Sequence, residues 1–140
     1  MIRHLIAACL VSALPGFALA ATTHYHADLK GGSEVPPTGS AGTGTVEATF
    51  DSATGKLDYT VTWSGLTGPA TMAHFHGPAP VGKNAGVEIV VGDANPVSPV
   101  HADATLTAAQ VQQLAGGMMY VNVHSAKFPK GEIRGQVLAK

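Results

Sequence analysis

The sequence has few of the groups that usually reveal a protein's chemistry. It holds a single cysteine, Cys9, close to the amino terminus. A domain built beyond that point has no thiol, which excludes a disulfide framework, a thiolate metal centre and a cysteine nucleophile. Charged residues make up only 12% of the chain, and the formal net charge is −1. No basic patch fits nucleic acid, and no basic amphipathic segment fits a membrane surface. Aromatic residues are scarce at 6%, with one tryptophan, Trp63, expected in the core. There is no G-x-S-x-G elbow, no phosphate-binding P-loop and no H-E-x-x-H zinc motif. The carboxylates Asp28, Glu34, Glu47, Asp51, Asp58, Glu88, Asp93, Asp103 and Glu132 are scattered and form no obvious acid–base pair.

The one long apolar run lies at the start. Arg3 and His4 precede the run Leu5–Leu14, Pro15-Gly16 breaks it, and Ala18-Leu19-Ala20 forms a small-x-small cleavage pattern. Residues 1–20 therefore read as a secretory signal peptide, too short to span a membrane, and residues 21–140 as one domain. The expected location is periplasmic or secreted, with no membrane insertion after cleavage. Ile6-Ala7-Ala8-Cys9 is similar to a lipoprotein box, but the apolar stretch before it is too short.

Glycine, threonine and valine are abundant, and turn residues recur at short intervals. That rhythm predicts an all-β fold, a Greek-key β-sandwich or barrel of superoxide dismutase-like or immunoglobulin-like arrangement. Strands are expected at 22–29, 43–50, 56–63, 70–76, 86–91, 118–125 and 132–138. Asp51–Gly55 reads as a hairpin turn with Gly55 left-handed. One short helix is expected near 107–115, where Thr107 and Gln110 form a capping box and Gly116-Gly117 stops it. Residues 92–106 show no clear pattern.

Histidine is the residue in excess. All but His4 of the seven histidines fall in the predicted domain: His24, His26, His74, His76, His101 and His124. Successive strand side chains point to opposite faces. Ala73 and Phe75 then face the core, with Met72, His74 and His76 on the other side. Val121 and Val123 likewise face inward, with Tyr120, Asn122 and His124 outward. His24 and His26 repeat the pattern beside Tyr25 and Ala27. An H-x-H pair on a strand sets two Cα atoms roughly 6–7 Å apart, so both rings reach one ion about 2 Å away. A lone H-x-H is more often a solvated strand face. Two pairs plus His124 favour a metal site on a surface histidine cluster.

Three imidazoles without thiolate suit copper, with zinc as the second candidate. The expected ligands are His74, His76, His124, His24 and His26, with His101 and Met72 as additional candidates. Asn122 is expected beside the site, fixing an imidazole tautomer. Arg134 is expected to pair with Glu132 across the last hairpin, or to steer an anion near the metal.

Three blocks carry a family resemblance: Glu34-Val35-Pro36-Pro37, Ala73-His74-Phe75-His76-Gly77-Pro78-Ala79, and Tyr120-Val121-Asn122-Val123-His124-Ser125 followed by Pro129-Lys130-Gly131-Glu132-Ile133-Arg134-Gly135-Gln136. The chain resembles the CHRD domain, named after chordin, over about residues 24–138. The resemblance implies an extracellular or periplasmic β-sandwich and no agreed activity. It covers His74, His76 and His124, whereas His24, His26 and His101 depart from the family pattern. The placement of an H-x-H strand and a later strand histidine is also similar to copper, zinc superoxide dismutase. The disulfide pair and bridged-zinc run of that enzyme are missing.

Three functions follow as expectations. The first is a copper-binding protein for storage, delivery or detoxification, with a metal-bridged homodimer as one form. The second is a non-catalytic adhesion or partner-binding module. The third is a copper redox enzyme of superoxide dismutase type, although the residues favour a protein that is not an enzyme.

Overall fold

The structure, a computed structural model, describes residues 21–140. The expected signal peptide, residues 1–20, and Cys9 lie outside the described residues. The elements in chain order are β1 (Thr22–Lys30), β2 (Thr43–Asp51), β3 (Lys56–Ser64), β4 (Ala70–His76), β5 (Val87–Gly92), β6 (Val100–Thr105), α1 (Ala108–Ala115), β7 (Tyr120–Ser125), β8 (Ile133–Gln136) and β9 (Leu138–Ala139). The expected strands form. The unassigned stretch contains β6, and the expected 132–138 strand divides in two around the buried Val137.

The strands make one antiparallel sheet in the order β5-β4-β7-β8-β1-β2-β3-β6, with β9 also paired to β1. The end strands β5 and β6 meet, so the sheet is nearly closed, as the all-β barrel or sandwich expectation required. Strand alternation fills its interior. Tyr25, Ala27 and Leu29 of β1, Val46, Ala48 and Phe50 of β2, and Leu57, Tyr59 and Val61 of β3 are buried. Ala73, Phe75, Val121, Val123 and Ile133 join them from the other half of the sheet. Tyr59 meets Phe75 edge-on at 5.1 Å between centroids, joining two strands that are not neighbours in the sheet. Trp63 is only partly buried and packs against this core.

The turn at 51–55 has the expected left-handed Gly55, at φ 71°. Helix α1 starts at the predicted capping box, where Thr107 accepts from the Gln110 amide and the Gln110 side chain accepts from the Thr107 amide. Leu114 is its buried anchor.

Candidate metal centre

The antiparallel pairing of β4 with β7 builds the site. Met72 lies opposite His124, His74 opposite Asn122, and His76 opposite Tyr120. Phe75, Val121 and Val123 point into the core and are fully buried, which forces the three histidines to the other face. That face is covered, which corrects the expectation of a surface cluster. His74, His76 and His124 are only 7%, 8% and 6% exposed. Loop 77–86, Asp93 just after β5, and turn 126–131 each supply one hydrogen-bond partner.

Those partners define the chemistry. His74 Nε2 lies 2.7 Å from Asp93 Oδ1. His76 Nδ1 lies 3.1 Å from the Ala85 carbonyl oxygen. His124 Nδ1 lies 3.0 Å from the Pro129 carbonyl oxygen. A carboxylate and two carbonyls can only accept, so each of these ring nitrogens is placed to donate an N–H. The second nitrogen of each neutral ring is then a bare lone pair. His74 Nδ1 and His124 Nε2 face each other at 3.3 Å. One nitrogen from each of the three rings lies within 4.8 Å of one from each of the others. Among the described residues no other group of histidine, cysteine or carboxylate side chains is gathered in this way.

Burial lowers the pKa of His76, opposed by the hydrogen bond to Ala85. Burial likewise lowers the pKa of His124. Both rings are thereby kept neutral, the form that ligates a metal.

A second ring of residues fixes the ligands. Asn122 Oδ1 lies 3.0 Å from His76 Nε2, and Asn122 Nδ2 donates to the Lys130 carbonyl at 3.4 Å. Tyr120 stacks on His76 at 4.9 Å with 5° between the planes. Arg134, almost fully buried, covers Tyr120, its guanidinium carbon 3.4 Å from the ring centroid. Because β7 lies between β4 and β8, Tyr120 is held between His76 and Arg134.

Arg134 does not pair with Glu132 as the sequence reading expected. Its side chain reaches across to loop 77–86 and donates to Lys83 O at 2.6 Å and Asn84 Oδ1 at 2.9 Å. Glu132 instead accepts from Ser125 Oγ, Ser40 Oγ, and the amide and hydroxyl of Thr67. The two residues alternate along the chain and serve different loops. Behind Asn122 lies the buried Glu34, whose Oε1 has no hydrogen-bond partner. Gly131, at φ 127°, lets both approach, because a Cβ there would collide with Glu34 Oε1 and Asn122 Nδ2.

The remaining predicted ligands are not gathered with the three. His26 is held by Glu47 at 2.7 Å and Asp28 at 3.1 Å, and its pKa is raised chiefly by Glu47. His24 contacts Thr49 Oγ1 at 3.2 Å, and His101 contacts Thr60 Oγ1 at 2.9 Å. These rings lie on β1 and β6, and β8 separates β1 from β7. Their side chains belong to the exposed polar face of β1, β2, β3 and β6. Met72, opposite His124, is partly buried at the margin. Asp93, one of the scattered carboxylates of the sequence, lies beside the centre through its contact with His74. No local signal marks it. Only the pairing of Gly92 with Ala73 brings it beside His74.

No curated protein and no solved structure matches this chain significantly. The CHRD domain family model matches residues 25–137, from β1 to the residue before β9, including all three clustered histidines, Asn122 and Arg134. With the match running over nearly the whole described fold, the chain belongs to the CHRD domain family.

Proposed function

We propose that this protein binds a transition metal through His74, His76 and His124, and that the ion is copper, with zinc as the second choice. The observation that carries the reading is the pairing of every ring with an acceptor on its far side. Metal-binding histidines carry this arrangement because it fixes the tautomer and increases ligand basicity. Asp93–His74 has the form of a carboxylate–histidine–metal relay. A neutral nitrogen set without thiolate suits copper and zinc.

Burial of the three rings favours holding an ion over turning over a substrate. The role we infer is copper storage, delivery or detoxification. CHRD domains occur in extracellular proteins, and no described helix is long and apolar enough to cross a membrane. Both facts support a periplasmic or secreted setting.

Titration of the metal-free protein with Cu(II), Cu(I) and Zn(II) tests the proposal. Tight stoichiometric binding that disappears in His74→Ala and His124→Ala supports it. Unchanged binding in both variants overturns it. Elemental analysis of protein isolated from its native compartment, with no metal added, identifies the ion.

A further inference from the structure

We propose that Asn122 is a fourth ligand, so that the centre is a closed set of three nitrogens and one amide oxygen. The inference rests on the metal-site reading and deepens it by assigning the last coordination position and the preferred oxidation state.

Position is the first argument. On the outer face of β4 and β7, Asn122 is directly opposite His74, diagonal to His76 and two residues before His124. It is the residue that neighbours all three histidines. The orientation of its amide is the second argument. Nδ2 donates to Lys130 O and faces the carboxyl group of Glu34. Turning the amide over would set its oxygen against the Lys130 carbonyl, so Oδ1 is held toward the histidines.

Asn122 Oδ1 also makes a contact with His76 that a cation would satisfy. A neutral His76 has one N–H for two acceptors, the Ala85 carbonyl at Nδ1 and Asn122 Oδ1 at Nε2, and in the tautomer that donates to Ala85 its Nε2 is a bare lone pair. That lone pair lies 3.0 Å from Asn122 Oδ1, itself an acceptor. Two acceptors at this distance repel unless a positive charge lies between them. His74 Nδ1 and His124 Nε2 make the same kind of contact at 3.3 Å. Two donors each about 2.0–2.1 Å from one ion span about 2.8–3.4 Å at right-angle to tetrahedral geometry. Both contacts have that span.

An amide oxygen is a hard ligand. Placed in a nitrogen set, it favours Cu(II) or Zn(II) over Cu(I), which prefers soft sulfur. It also occupies the position that water or a small anion takes in an open three-histidine site.

The test uses Cu(II) with the wild-type chain and with Asn122→Ala, Asn122→Asp and His74→Ala, each checked for folding by circular dichroism. Asn122→Ala is expected to weaken Cu(II) about 10- to 100-fold and to affect Cu(I) much less. It is also expected to open the ion to solvent, so that water-proton relaxation by bound Cu(II) rises and azide binds. Asn122→Asp, which keeps an oxygen of the same reach, is expected to retain tight binding and exclude azide. If Asn122→Ala fails to fold, Asn122→Asp decides alone, and azide binding as readily as at free copper overturns the proposal. If wild type binds Cu(II) through His74 while Asn122→Ala matches it in affinity, relaxation and azide exclusion, the fourth ligand is wrong and the histidine site stands. If wild type binds no better than His74→Ala, both readings fail.

Discussion

His74 Nδ1 lies 3.3 Å from His124 Nε2, and the other nitrogen of each ring already donates, to Asp93 and to the Pro129 carbonyl. When both rings are neutral they present lone pair to lone pair. The contact is favourable only with a proton or a metal ion between them. Backbone pairing of β4 with β7 maintains it, since Met72 opposite His124 and His74 opposite Asn122 fix where both rings start.

Replacing either ring therefore has different effects with and without metal. In the metal-free chain, where the two rings gain little from each other, His124→Ala is expected to cost about 1 kcal/mol, below the 2–5 kcal/mol common for large-to-small core changes. In the metal-loaded chain the same change is expected to abolish the stabilisation by metal. Urea unfolding with and without Cu(II) measures both. A loss of equal size in the two conditions would contradict the assignment.

Asp93 acts on the metal only through His74. Its side chain is 60% exposed, so Asp93→Asn is expected to leave metal-free stability within about 0.5 kcal/mol. Metal affinity is expected to fall about 10- to 100-fold, as for other partners of ligating histidines. Competition against a chelator of known affinity reads this directly.

Acid is expected to weaken the metal-free fold early. Burial holds His76 and His124 below the ordinary histidine value of 6.5. The unfolded chain then binds more protons than the folded chain below that pH. Stability from the neutral rings is full above about pH 6.5 and is lost as pH falls toward the folded-state values. Unfolding midpoints between pH 7.5 and 5 are expected to drop in wild type and to flatten in His124→Gln. An equal slope in both proteins counts against the burial argument.

Glu34 has the opposite linkage. Burial raises its pKa above the ordinary 4.5, outweighing the nearby Arg134 charge and Asn122. The folded chain holds this proton more tightly than the unfolded chain, so ionised Glu34 penalises folding above that pH. Glu34→Gln is expected to raise the melting temperature at pH 7 and to leave it unchanged below pH 4.5. A lower melting temperature at pH 7 would show that Arg134 needs the charge.

Much of this organisation was legible in the chain. Alternation around Phe75 and Val123 assigned His74, His76 and His124 to one face, because a strand has only two faces. Thr107 and Gln110 located the helix because a capping box is local. Burial of the histidines was not legible, since it comes from loops that return from residues 77–86 and 126–131. Asp93 was invisible for the same reason. Arg134 was misread because proximity in sequence to Glu132 is no guide when each side chain reaches a different loop. His24 and His26 matched the same local pattern as His74 and His76, and only sheet order separates them.

The order of strands has one more consequence. β4 and β7 are neighbours in space, yet His74 and His124 are 50 residues apart in sequence. The unfolded chain cannot hold its three rings together, so an ion captured here acts as a removable clasp closing a long loop. None of the described residues is a cysteine, and such a clasp would take the place a disulfide occupies in many exported domains. At a hundredfold excess over its dissociation constant, an ion that binds only the folded form adds about 2.7 kcal/mol. Metal supply in the surrounding compartment would then set how long the folded chain survives there.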